Sequence, residues 1–247
     1  MDFRFWEYDD DYAGPEDRTE AAAAEIIPGV WYVGSYHFAA YLLKTGGGAV
    51  VIDTCRSDAR DFFLSQFSRA EVELSKIVAI LHTHGHSDHL GNTARLVELS
   101  GAQTMIGAGD ALWLAQETPV DRMLCPTETV SFGATELTFF ATPGHTIGCG
   151  IYITDVGGAR VCFMGDACGP FIFRTTRWSG DAEAFRASAA RMRNVSADIY
   201  LPGHPHQVLE VSAEGNPRLS RDQWHSYIDH RVEMMEEFIV GSDTSQC

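Results

Sequence analysis

Hydrophobic positions along this chain come in short bursts separated by glycine-rich or polar turns. Between residues 29 and 54 the runs GVWYVGS, AAYLLKT and GAVVIDT are rich in β-branched and aromatic residues and punctuated by glycine, a pattern that predicts strands. Over 57–70, SDARDFFLSQFSRA changes to helical spacing. Ser57 or Asp58 is expected to cap that helix, with Phe62, Phe63, Leu64 and Phe67 on one side of it. KIVAILHT is a continuous apolar run, as expected of a buried strand. A helix from about Gly91 to Ser100, a strand AQTMIGA and a helix GDALWLAQE follow. The second half repeats the scheme. ELTFFATP, GIYITDV and RVCFMGD predict strands, DAEAFRASAARMRNV a helix and ADIYLPG a last strand, and residues 218–240 predict a long amphipathic helix.

Strands, helix, strand and helix, repeated once with different loops, argue for two β-sheets packed face to face with helices outside. The expected fold class is therefore α/β, a four-layer αββα sandwich of two mixed sheets. The acidic segment 1–25 stands apart, and 26–247 is expected to form a single domain that includes the 218–240 helix.

Composition narrows the partners. Hydrophobic residues make up 45% of the 247 positions, enough for a sizeable core. Lys and Arg number 18 against 34 Asp and Glu, a formal charge of −16 that repels phosphate backbones and anionic membranes. The expected partner is a small-molecule substrate, with no nucleic acid and no membrane; oligomeric state is unreadable. No run approaches the ~20 apolar residues of a membrane span, and the N-terminal segment lacks the basic start and apolar core of a secretory signal. The expected location is the cytoplasm. The six cysteines are scattered without a C-x-x-C pair. Cys149 and Cys162, in apolar runs, read as buried thiols.

The chemistry gathers in LHTHGHSDHLGN, where His82, His84, His86, Asp88 and His89 fall within eight positions just past a strand. His84 and His86 are two apart, so at a strand end they point to the same side. The turn into the next helix brings Asp88 and His89 round from the opposite side. One short turn can thus supply two imidazoles to one ion and a carboxylate and an imidazole to a second, the ligand types of catalytic zinc. His82 lies outside that pattern and reads as a core or supporting residue. Three more positions end strands beside Gly or Pro: His145 in ATPGHTIGCG, Asp166 in VCFMGDACG and His204 in IYLPGHPH.

T-H-x-H-x-D-H, then P-G-H-T-x-G, then G-D after a strand, then P-G-H-P, resembles the metallo-β-lactamase superfamily over about residues 29–206. The resemblance implies the αββα sandwich with metals at one edge between the sheets. It implies that His84, His86 and His145 hold a first zinc, that Asp88, His89 and His204 hold a second, and that Asp166 bridges them. Two Zn2+ per chain are the implied cofactors, with iron or manganese as substitutes. The diiron flavoproteins of the superfamily have glutamate at the position of His86, and its nucleic-acid-processing members carry added segments and basic surfaces. The pattern is most similar to the third subclass of metallo-β-lactamases. The Gly165–Asp166 pair also resembles that of glyoxalase-II-like hydrolases, and enzymes that protect the cell wall work outside the cytoplasm.

The implied reaction is hydrolysis of a carbonyl-centred bond (thioester, ester, lactone or β-lactam amide) by metal-activated water. Asp88 is expected to orient the water and relay a proton. Tyr36, His37 and Phe38, between two early strands, and Arg174, in CGPFIFRTTRW, are the candidate substrate contacts. The alternative is a mononuclear iron dioxygenase of the persulfide dioxygenase type, which would use His84, His145 and Asp166.

Overall fold

The computed structural model describes residues 23–35, 37–167, 169, 181–205, 208 and 218–244. A seven-stranded sheet runs in chain order through β1 (Ala24–Ile27), β2 (Val30–Tyr32), β3 (Tyr41–Thr45), β4 (Gly48–Ile52), β5 (Ile77–His82), β6 (Gln103–Gly107) and β7 (Arg122–Leu124). Its first four strands are antiparallel neighbours, and β4 to β7 pair in parallel. The second, six-stranded sheet joins β8 (Thr127–Phe132), β9 (Thr135–Ala141), β10 (Gly150–Val156), β11 (Ala159–Gly165), β12 (Ile199–Pro202) and β13 (Leu219–Ser220). Only β11 and β12 pair in parallel there. The helices are α1 (Arg60–Arg69), α2 (Ser87–Leu90), α3 (Thr93–Ser100), α4 (Ala111–Leu114), α5 (Ala182–Met192) and α6 (Arg221–Thr244). None of the described helices is long and apolar enough to cross a membrane.

The continuous apolar runs follow from burial on both faces. In β3 and β4, Tyr41, Leu43, Val50 and Ile52 face the second sheet, where they meet Leu137, Phe139, Tyr152, Phe163 and Leu201. The alternate residues Leu42 and Val51 face outward and pack with Phe63, Phe67 and Leu96 of α1 and α3. On the other side, Ile151, Cys162 and Met164 face outward onto Phe185, Ala189, Trp224 and Ile228 of α5 and α6. Three apolar layers between four layers of backbone make the αββα sandwich. Cys149 and Cys162 are both buried.

Several local expectations change. The 57–70 segment begins with a 3-10 turn over Ser57–Ala59, and neither it nor α1 has a side-chain cap. Its buried side chains are Phe63, Gln66 and Phe67, whereas Phe62 and Leu64 are half-exposed. Gln66 is drawn inward because its side-chain oxygen accepts from Ala23 N. The helix expected after AQTMIGA shrinks to a 3-10 turn and the four residues of α4, whereas the one expected from about Gly91 to Ser100 is found as α3, preceded by the short, unpredicted α2. Strands β1, β7 and β8 lie outside the predicted runs, and β13 takes the first residues of the expected 218–240 helix, which starts at Arg221 instead. β1, β7 and β13 are two to four residues long, and β8 (TETVSF) buries only Val130. The Trp224 ring stacks on Tyr200 at 4.2 Å and its Nε1 donates to Met192 O, which anchors α6 to the second sheet.

Two reciprocal hydrogen bonds join the sheets at one end. Tyr41 of the first sheet donates to Pro202 O of the second (2.6 Å), and Tyr152 of the second donates to His82 O of the first (2.9 Å). The strand ends they fix are the ones that carry the histidines.

Candidate metal centre

The structure brings all seven predicted ligands together. His84 and His86 follow β5 directly, and α2 carries Asp88 and His89. His145 lies between β9 and β10, Asp166 follows β11, and His204 follows β12. The first sheet therefore supplies four donors and the second three. They form three overlapping groups, His84/His86/His145, His84/His89/Asp166 and Asp88/His89/His204, with donor atoms in each within 4.8 Å of one another. His84, His86, His89, His145, Asp166 and His204 are buried; Asp88 keeps about a fifth of its side chain exposed.

The donor spacing suits metal ions. Donors about 2.1 Å from a tetrahedral zinc stand roughly 3.4 Å apart. His145 Nε2 is 3.0 Å from His86 Nδ1 and 3.5 Å from Asp166 Oδ2, and His89 Nε2 is 3.4 Å from His204 Nε2. Asp166 Oδ2 also lies 3.1 Å from His204 Nε2, and Asp88 Oδ2 lies 3.5 Å from that same nitrogen. Asp166 thus faces both groups of histidines. Buried polar atoms normally find partners, yet His84 Nε2 and Asp166 Oδ1 have no hydrogen bond among the described residues. The residues present fit a pair of ions.

Supporting groups orient the rings. Asp53 accepts from Thr83 N (2.9 Å) and Thr83 Oγ1 (2.7 Å), and its Oδ2 lies 2.9 Å from His89 Nδ1. His204 Nδ1 meets His37 O at 2.9 Å, and His84 Nδ1 meets Thr83 Oγ1 at 3.1 Å. Each of these three contacts engages Nδ1 and leaves Nε2 toward the cluster, the way outer partners orient ligating imidazoles; His86 instead turns Nδ1 toward His145 Nε2. Asp53 and Cys55 adopt left-handed backbone (φ 58° and 55°), a conformation uncommon outside glycine. Thr54 between them donates through its backbone N and hydroxyl to His89 O. Gly203 makes room: a Cβ there would lie 2.2 Å from Asp166 Oδ1 and 2.9 Å from His89 Cε1.

The electrostatics divide the cluster. Burial, reinforced by neighbouring histidines, holds His84, His86 and His145 below the usual imidazole range, so they stay neutral and ready to ligate. His89 and His204 are pushed up: burial opposes the charge, but Asp166 and Asp88 beside both, and Asp53 beside His89, outweigh it. Burial would raise Asp166, yet the charges of His204 and His89 hold it well below the carboxylate range. The carboxylates of Asp88 and Asp166 thus favour positive charge at this end of the cluster, as a divalent cation would supply.

The remaining predicted residues are placed as follows. His82 is buried, with Nδ1 3.7 Å from Asp53 Oδ1 and Nε2 3.2 Å from Thr93 Oγ1, outside the donor groups. His37 presents its carbonyl to His204, and the buried Phe38 sets its ring edge-on to His204 at 5.4 Å. Tyr36 and Arg174 lie outside the described residues. Asp53, Thr83 and Thr54 escaped the sequence reading. Asp53 follows an apolar strand as Asp166 does, which was its one visible signal.

The sequence model of the metallo-beta-lactamase superfamily matches residues 39–204, two thirds of the chain and all seven donors. The chain belongs to that superfamily. A hydroxyacylglutathione hydrolase of Anaeromyxobacter dehalogenans is 38% identical over 108 residues, covering 44% of this chain and 38% of that protein. One from Acidiphilium cryptum is 26% identical over 171 residues, covering 68% and 64%. The chain thus spans about a third to two thirds of the length of these relatives. Among solved structures, a subclass B3 metallo-beta-lactamase of Bradyrhizobium japonicum superposes with TM-score 0.83 at 22% identity, covering 94% of this chain and 99% of that one. At that identity the likeness concerns the fold. As a superfamily member, the chain carries at the ends of its two sheets a candidate metal centre of histidines and aspartates.

Proposed function

We propose that this chain is a dinuclear metal hydrolase, zinc being the fitting metal, that cleaves a carbonyl-centred bond in a small molecule, with a thioester as the leading substrate. The observation that carries the reading is the pair of donor sets, His84/His86/His145 and Asp88/His89/His204, with Asp166 facing both. Two bound divalent ions would supply water activated at neutral pH and polarisation of the substrate carbonyl. The chain's own residues do the rest. Asp53, Thr83 and the His37 carbonyl hold the imidazoles in the ligating tautomer. Asp88, the most open carboxylate of the set, can align water and carry a proton toward the leaving group. His37, Phe38, Tyr36 and Arg174 remain the proposed substrate contacts. The thioester preference rests on the names of the hydroxyacylglutathione hydrolases that match by sequence.

Metal analysis of protein purified without added metal, together with a panel of a glutathione thioester, nitrocefin, a homoserine lactone and aryl esters, tests the proposal. Two zinc per chain with thioester turnover is the expected result. One iron per chain with oxygen consumption on a persulfide would overturn it.

A further inference from the structure

Asp110 occupies a position whose usual task it does not perform. It is the residue immediately before α4, where an aspartate ordinarily caps the helix by accepting from its first amides, yet it makes no side-chain cap bond. The carboxylate is fully buried and turned the other way. Its Oδ2 accepts from Gly85 N at 2.8 Å and from Thr146 Oγ1 at 2.5 Å, and its Oδ1 accepts from Gly148 N at 2.8 Å.

Those three donors are not scattered. Gly85 lies between His84 and His86, and Thr146 follows His145. One carboxylate therefore grips, within one residue of each, all three histidines of the first donor set. It does so across the sandwich, because Gly85 belongs to the first sheet's loop and Thr146 and Gly148 to the second's. The approach is as close as backbone allows: a Cβ on Gly148 would lie 2.3 Å from Asp110 N. A charged acceptor with three buried donors is a strong and geometrically restrictive clamp.

We infer that Asp110 is a positioning residue that pre-forms the His84/His86/His145 set by clamping the His84–His86 loop to the His145 loop. This rests on the metal-site reading above. Asp110 contacts neither ion nor substrate; it removes the freedom of two loops that must otherwise be ordered when an ion binds.

The test is zinc affinity measured by competition with a chromophoric chelator, with cobalt absorption as a spectroscopic check. Protein carrying His204→Ala, which leaves the three-histidine set complete, serves as the parent. Adding Asp110→Asn is expected to weaken the remaining ion's affinity about 10–100-fold, the range found for groups that orient metal ligands, and to alter the cobalt d–d bands. The metal-free protein should still melt cooperatively. If Asp110→Asn does not fold, Thr146→Val replaces it, expected to lose affinity while Thr146→Ser retains it. Affinity within twofold of the parent in a folded variant overturns the clamp. Failure of the parent itself to take up zinc overturns the metal-site reading beneath it.

Discussion

Asp53 Oδ2 lies 2.9 Å from His89 Nδ1, and both side chains are buried. The same carboxylate holds Thr83 through its amide and hydroxyl. Burial would raise Asp53, but the charges of His89 and His82 and their hydrogen bonds hold it below the usual carboxylate range. Replacing it by asparagine turns an acceptor into an amide that cannot satisfy both Thr83 and His89. Asp53→Asn is expected to lower affinity for one of two ions about 10–100-fold. Asp53→Ala should also cost the metal-free fold about 3–5 kcal/mol. Chelator competition and urea denaturation check the two effects.

Gly203 is expected to tolerate no side chain. Its added Cβ would overlap Asp166 Oδ1, so Gly203→Ala should displace the aspartate that faces both donor sets. Misplacement on that scale costs turnover about 100-fold. Far-UV circular dichroism should stay unchanged while metal content falls. Full metal content in the variant would remove the steric argument.

The carbonyl of His37, not its ring, meets His204. His37→Ala keeps that carbonyl and should leave metal content intact. With the ring as a substrate contact, KM is expected to rise about fivefold, the loss of roughly one hydrogen bond. Steady-state kinetics beside metal analysis separates these outcomes, and loss of metal would contradict the assignment.

Burial pushes the Cys162 thiol up, with Arg160 opposing only weakly. The folded state therefore keeps the proton, whereas the unfolded chain releases it near pH 8.5. The sign follows: stability is full below that range and falls as pH rises through it, by up to ~1.4 kcal/mol per unit. Denaturation of wild type and Cys162→Ala between pH 7.5 and 10 should show the shallower slope in the variant.

Trp224 stacks on Tyr200 and hydrogen-bonds Met192 O. Trp224→Ala should cost about 3–5 kcal/mol without changing metal stoichiometry, as read by thermal melting and metal analysis. A melt unchanged from wild type would show that α6 is not anchored there.

The strands were legible wherever both faces are buried, because runs such as KIVAILHT leave no polar face to confuse the pattern. The donors were legible because His145, Asp166 and His204 each follow a strand beside a glycine or proline, and the other four crowd into one short stretch after β5. The residues that orient them were not. Asp53 finds Thr83 thirty positions away, and Asp110 finds Thr146 thirty-six away. No local spacing encodes partners that only the closed sandwich brings together. The cap expected of Ser57 or Asp58 failed for a related reason: the turn there is held by the loop between α2 and α3, with Gly91 N donating to Cys55 O and Asn92 Nδ2 to Arg56 O.

The tyrosine bonds from Tyr41 to Pro202 and from Tyr152 to His82 give the paired sheets a further meaning. An ion held by donors from both halves, as proposed, would bind only after the halves have docked. Mass action then makes the ion a reward for finishing the fold, about 2.7 kcal/mol when free metal stands at a hundred times its dissociation constant. Under the proposed function, resistance of the chain to proteolysis would accordingly rise and fall with the supply of metal around it.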